Sequence, residues 1–331
     1  MSTEVSLKKN KENKIMQFFA RLFRYPWFSA LLSVVILCLV ILSVNEDFFR
    51  TDNIMDILRT ASYSFMVAAP VTLLLVLAEI DLSMGAVISL GGVVCGKCLA
   101  SGVSIPLSIS IALLAGAFVG LVKSFIVVKF NLPAFIVTLG LSYVISGFIL
   151  GWTGGISVTG FPSEFKVLGQ GHLTGRIYYS LIIAMVIGIV CHIALTKTKF
   201  GRSVSAIGGN PNAAYLAGIN VSKHRYIVHI LVSIAAAFTG VIYASRFSSA
   251  LPSVGMGSEM LIIASTIIGG TSMFGGTGTI LGTAIGCILF STITNGLILM
   301  RVSVNWQSLV FGLILIISII IDKYRRRVSG N

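Results

Sequence analysis

Charge is what this sequence has least of. Asp, Glu, Lys and Arg make up 11% of its 331 residues, and only 11 side chains are acidic. A soluble domain carries about 25% charged residues, so there is too little polar surface here for a water-soluble fold. Histidine is scarce too, with four in the chain and none adjacent to another. Neither HExxH nor GxSxG occurs, which argues against hydrolytic chemistry within a membrane. The chain also lacks a GxxxxGK[ST] loop, so it has no phosphate cradle of that type with which to use ATP itself. The five cysteines (Cys38, Cys95, Cys98, Cys191, Cys287) all fall inside apolar runs. Cys95 and Cys98 form a CxxC with Lys97 between them, but no second pair or histidine lies near. They read as small buried hydrophobes rather than metal or redox ligands. The expectation is therefore no catalytic residue, no metal site and no cofactor bound by this chain. No stretch resembles a cleavable signal peptide, because the first apolar run follows a basic segment and is long enough to span.

Apolar runs fill the space that charge leaves. Hydrophobic residues are 56% of the chain and the mean hydropathy is +0.96. A spanning helix needs roughly 20 apolar residues. Candidates lie at about 26–44, 62–79, 84–101, 104–128, 134–152, 178–195, 226–245, 259–274, 277–298 and 306–321. The expected fold is an all-α polytopic bundle of about ten membrane helices in one membrane domain, 26–321. A basic segment, 1–25, precedes it and a basic tail, 322–331, follows. The eighth run is the weakest, since it is short and runs into the glycine-rich "GGTSMFGGTG" of 269–278. Ten spans with the N-terminus inside put seventeen of the 24 basic residues on the inner side and seven on the outer. That bias predicts cytoplasmic termini and accounts for the net charge of +13 without nucleic acid. The loop of about 196–225 is then cytoplasmic and that of 153–177 faces out.

Within the spans, ionisable residues are few. Glu79, Asp81, Lys97, His192 and Glu259 all fall near predicted span ends, within reach of interfacial water. That weakens the case for a proton-coupled carrier, which uses intramembrane acids and bases. Gly278, Gly282 and Gly286 repeat every four residues on the ninth run, as Gly116 and Gly120 do on the fourth, a spacing that lets helix backbones approach closely. Phe135, Thr138, Ser142, Thr292, Thr294 and Asn295 could line a path for a hydroxylated solute. The polar ones could equally hydrogen-bond between helices.

One polar stretch stands apart, "GGNPNAAYLAGINVSKHR" at 208–225. Asn210 is a favoured N-cap, Pro211 suits the first helical position, and Gly218 suits the C-terminal stop. A helix of about two turns follows, over 210–218. So short a helix is marginal alone in water, and its small Ala213, Ala214 and Ala217 would let a partner come close. A transporter without a motor of its own needs such a contact.

Four segments, in order, resemble one family. They are "EIDLSMGAVISLGG" (79–92), "LPAFIVTLGLSYVISGFILGWTGG" (132–155), "GRSVSAIGGNPNAAYLAGINV" (201–221) and "IIGGTSMFGGTGTILGTAIGC" (267–287). The chain is similar to the permease subunits of bacterial ABC sugar importers of the ribose, xylose and autoinducer-2 class, within the branched-chain amino-acid permease superfamily. The resemblance implies a second permease, two cytoplasmic ATPase subunits that use ATP and magnesium, and an extracytoplasmic solute-binding protein. It makes 210–218 a coupling helix, with Gly209, Asn210, Pro211, Ala213, Ala214, Leu216 and Gly218 in the ATPase-coupling loop. It places Asp81, Ser83 and Gly85 in a motif near the inner mouth. Two positions depart from the family pattern: Glu79 stands where the family usually has Gly, and Lys123-Ser124 where it usually has Asn-Gly. The second reads as a tolerated loop-end change. The alternatives are an ion-coupled carrier or channel working alone and, in the same class, a nucleoside or branched-chain amino-acid permease.

Overall fold

The computed structural model describes residues 26–173, 175–303, 306–307, 309–313 and 316. The basic N-terminal segment and the basic tail lie outside these residues, and the tenth apolar run is only partly among them. Its described residues, 306–307, 309–313 and 316, are helical.

The other nine apolar runs each fold as a helix. They are α1 (Pro26–Val44), α2 (Thr51–Val76), α3 (Met84–Ala100), α4 (Ile105–Lys129), α5 (Ala134–Thr153), α7 (Tyr179–Lys197), α10 (Val221–Phe247), α11 (Ser258–Ile268) and α12 (Ile280–Leu299). Three short helices sit in the loops: α6 (Lys166–Gln170), α8 (Lys199–Gly209) and α9 (Pro211–Leu216). The two-residue strands β1 (His172–Leu173) and β2 (Ile177–Tyr178) pair antiparallel. Among the described residues six helices are long and apolar enough to cross a membrane: α2, α4, α5, α7, α10 and α12. The chain is an all-α polytopic membrane protein.

Two boundaries differ from the sequence expectation, each for a local reason. The second helix begins at Thr51, eleven residues early, because 51–61 is amphipathic rather than apolar and packs one face inward. It then stops at Val76, so Glu79 lies beyond it. The eighth helix spans only Ser258–Ile268. At about 1.5 Å per residue it is roughly 17 Å long, little more than half of a hydrocarbon core of about 30 Å. Glycines end it, with Gly270 at φ +95°, Gly275 at +88° and Gly276 at +81°. Residues 269–279 form an irregular return rather than a continued span.

The core is built by small residues letting backbones touch. A Cβ on Gly91 would run into the backbone of Ala237, and one on Gly240 into that of Ile88 and Gly92, which clamps α3 against α10. Gly116 and Gly120 bring α4 onto α10 at Ser233 and Ile230 in the same way. Gly282 and Gly286 seat α12 on α11 at Gly269 and Ser265. Gly278 precedes α12, in the return segment, where it meets Val76 and Thr271 rather than a helix face. With no hydrophobic drive between helices in lipid, close packing of this kind holds a bundle together. α5 leaves much of its surface open. Gly140, Gly147 and Gly151 on it meet nothing within 4 Å, and Ile136, Tyr143, Val144 and Phe148 are exposed.

Candidate functional site

The 196–225 end of the bundle carries two short helices, where the sequence suggested one. Thr198 caps α8 by accepting from the Gly201 amide at 3.2 Å. Its buried face is Gly201, Val204, Ile207 and Gly208, a helical spacing. Asn210 then caps α9 by accepting from the Ala213 amide at 3.0 Å. At the far end the Gly218 amide donates to the Tyr215 carbonyl at 2.9 Å and the Ile219 amide to that of Ala214 at 3.0 Å. These two bonds, with Gly218 at φ +82°, form a complete Schellman stop. Asn220 caps the next helix, α10, through the Lys223 amide.

Of the three alanines expected to face a partner, Ala213 and Ala217 are exposed but Ala214 is not. Ala214 is buried against the chain itself, at 4% exposure. The outward residues are Leu216 at 85% and Tyr215 at 71%, with Pro211 and Ala213 beside them. A six-residue helix has one inward face, and Ala214 lies on it. The glycine that matters for packing is likewise Gly208, not Gly209. A Cβ on Gly208 would strike the Val76 carbonyl and the Gly276 amide, whereas one on Gly209 meets nothing. The Gly276 amide donates to Val76 at 2.9 Å. Thus α8, the end of α2 and the glycine-rich return meet backbone to backbone.

Directly beyond that junction α2 unwinds. Ala78 adopts φ +62°, and residues 77–83 cross to α3 without helical structure. This segment is tied down by buried charge. Glu79 pairs with Arg225 through one carboxylate oxygen, and the other lies 2.6 Å from His229 Nε2. Asp81 pairs with Lys123, both side chains being fully enclosed. Asp81 also accepts from the Ser83 hydroxyl at 2.6 Å and the Ser83 amide at 2.8 Å. The Leu82 amide donates to Thr138 Oγ1 at 3.0 Å, and that hydroxyl donates to the Ala134 carbonyl at 2.8 Å. Gly85 opens α3 against the Gly255 backbone and the Glu259 side chain. Glu79, Asp81 and Lys123 are therefore not solvated at an interface. Lys123 lies within α4, and its substitution is no loop-end change. The two departures from the family motif belong to a single network, in which each new charge has a partner. Sequence reasoning missed His229, which sits one turn after Arg225 on the same face of α10; that i, i+4 spacing was the available signal.

A cavity of about 400 Å³ lies between this segment and α9. Leu77, Ala78, Glu79 and Ile80 line one side, Pro133, Ala134 and Phe135 another, and Ile207, Pro211 and Arg225 the third. Of the six residues suggested for a path, Phe135 lines this cavity and Thr138 anchors the backbone behind it. Asn295 is elsewhere, on α12, exchanging amide hydrogen bonds of 3.1 and 2.7 Å with Asn53 of α2. Its side chain is occupied between helices. Thr292 and Thr294 bond back to their own helix. At the opposite end a second cavity of about 340 Å³ is lined by Arg59, Gln170, His172, Tyr178, Arg246 and Phe247. Arg59 lies over the Tyr178 ring at 4.0 Å, and Arg246 over that of Tyr63 at 5.0 Å. No group of His, Cys, Asp and Glu suited to a metal ion occurs among the described residues.

A polytopic helical bundle with a capped loop helix beside a broken, charge-tied span is compatible with a membrane permease. The family model described as "Branched-chain amino acid transport system / permease component" matches residues 53–319. The chain belongs to this permease family. It is 34% identical over 297 residues to the ribose import permease protein of Haemophilus influenzae, covering 88% of this chain and 92% of that one. It is 33% identical over 313 residues to the ribose import permease protein of Escherichia coli K12, covering 92% and 97%. The D-allose transport system permease protein of E. coli K12 is 34% identical over 279 residues, covering 84% and 85%. No solved structure matches the chain.

Proposed function

We propose that this chain is the membrane-spanning permease subunit of an ATP-driven importer for a monosaccharide or similar small polar solute. ATP is hydrolysed by separate cytoplasmic subunits that seat on α9, and both termini are cytoplasmic. A second permease, identical or homologous, pairs with it in the bilayer. A solute-binding protein delivers solute at the 153–177 end. The relatives named for ribose and allose support the sugar class. The observation that carries the docking reading is α9 itself. It is fixed at both ends by its own caps, yet it presents Leu216 and Tyr215 outward from a polar loop. Exposed apolar side chains on a rigid element mark an interaction site.

The test is reconstitution of the chain in proteoliposomes with the ATPase and binding protein encoded beside it. ATP-dependent uptake of a pentose or hexose is expected. The reading fails if the solubilised chain retains no ATPase and uptake follows an ion gradient while ignoring ATP. That second outcome defines the ion-coupled alternative, and the buried charges at 79, 81, 123 and 229 are the feature it would use. Both acids are already matched to bases, Asp81 to Lys123 and Glu79 to Arg225. A coupling cation would have to displace a lysine or an arginine, so we favour the ATP-driven reading.

A further inference from the structure

The non-helical segment 77–83 is held by side chains of three helices, none adjacent to it in sequence. Thr138 of α5 takes the Leu82 amide, Lys123 of α4 takes Asp81, and Arg225 and His229 of α10 take Glu79. The last tie differs from the other two in what lies behind it. Arg225 stands in the first turns of α10, which begins at Val221, directly after the Schellman stop of α9. Asn220 caps that helix, and the His224 ring stacks on Phe200 of α8 at 5.3 Å. The start of α10 is thus bound to α8 and α9 as one piece. Glu79, in turn, lines the cavity it shares with Arg225, Pro211 and Phe135.

We infer that the Glu79–Arg225 ion pair is the tie through which displacement of α9 reaches the unwound segment 77–83 and the cavity beside it. The inference rests on the reading of α9 as the ATPase contact. A rigid piece carrying α8, α9 and the start of α10 pulls on Glu79 whenever it moves relative to α2. The amides of Leu77, Ala78 and Glu79 close the end of α2 on the Leu73, Leu75 and Leu74 carbonyls. Among the described residues those of 80–83 make no helical hydrogen bond to resist that pull, so the segment yields just beyond the positive-φ turn at Ala78. His229 takes the other oxygen of Glu79 one turn deeper and is fully buried, and its Nδ1 has no hydrogen-bond partner among the described residues. The carboxylate is therefore gripped from one face of α10 at two heights, which transmits rotation of that helix as well as translation. Asp81 and Lys123 hold the far end of the segment to α4, so movement at Glu79 bends 77–83 rather than sliding it.

The competing explanation is that the ion pair only satisfies buried charge. The two are separated by measuring solute uptake and ATP hydrolysis on the same proteoliposomes holding the assembled transporter. For Glu79→Gln and Arg225→Gln, solute imported per ATP hydrolysed is expected to fall by at least about fivefold, the lower end of typical site-to-site coupling. Arg225→Lys keeps the charge and is expected to recover most of that ratio. Arg225 is a fifth exposed, so Arg225→Lys, which keeps the partner charge for Glu79, is expected to assemble even where Glu79→Gln does not. An unchanged ratio, or a proportionate loss of uptake and hydrolysis together, overturns the inference. A wild-type chain that retains no ATPase overturns the reading of α9 instead, and the two failures are thereby distinct.

Discussion

Replacing Lys123 by Met isolates the consequence of the fully enclosed pair. Methionine keeps the length and the apolar stem of lysine and fills irregular gaps well, so packing changes little. What changes is Asp81, left with only the Ser83 hydroxyl and amide for company. Removing one partner of a buried ion pair costs about 3–5 kcal/mol, because the other charge stays in the interior. Protonation limits that loss. A carboxyl with an ordinary pKa near 3.9 takes up a proton at pH 7 for about 4 kcal/mol, so the expected destabilisation is about 3–4 kcal/mol. The sign of its pH dependence follows. In the intact pair the carboxylate is the favoured form, and its contribution is lost on acidification; in the variant the carboxylate is the penalised form, and acid relieves it. The limit falls by about 1.4 kcal/mol per pH unit, to about 1.5 kcal/mol at pH 5. The assay is unfolding of the purified chain in mixed micelles by SDS titration, followed by tryptophan fluorescence at pH 5, 6 and 7. Adding Asp81→Asn to the same background removes the stranded charge and is expected to recover most of the loss. A deficit under about 1 kcal/mol at pH 7, or one equal at pH 5 and pH 7, would refute the reasoning, since a buried unpaired carboxylate must cost more and must respond to protons.

Three further outcomes follow from the geometry. Leu216→Asp is expected to weaken ATPase-subunit binding about 30- to 140-fold, the loss of a central apolar anchor of about 2–3 kcal/mol; normal co-purification would remove α9 as the contact. Gly208→Val should destabilise the chain by about 1–3 kcal/mol or more through collision with Val76, whereas Gly209→Ala is expected to stay within about 0.5 kcal/mol; equal effects in thermal unfolding would contradict the assigned backbone contact. Asn295→Ala leaves Asn53 Oδ1 without its donor, while Asn53 Nδ2 keeps the Phe48 carbonyl, and should cost about 1–3 kcal/mol of stability with the KM for solute unchanged; a raised KM with full stability would return Asn295 to the transport path.

Much of the bundle was legible because its signals are local. Runs of apolar residues become helices in lipid whatever surrounds them, since every backbone polar group must be satisfied within the segment. The caps of α9 are similarly contained in residues 210–219, which carry both the asparagine that starts the helix and the glycine that stops it. The eighth helix was harder, because hydropathy counts apolar residues and does not see where glycines let the backbone leave the helix.

What sequence could not supply was orientation and pairing. Ala214 and Leu216 are both apolar residues of one short helix, and only the docking of α9 on its own bundle decides that the first is buried and the second exposed. Glu79 and Lys123 each looked like a single departure near a span end. They belong together only because folding brings residues 79, 81, 123, 225 and 229 into one buried cluster, across as many as 146 to 150 positions of sequence. The composition, with its shortage of charge, determined by itself that this protein lives in a bilayer. Where its few charges went was decided by tertiary structure, because a buried charge is stable only beside its partner, and partners are chosen in space.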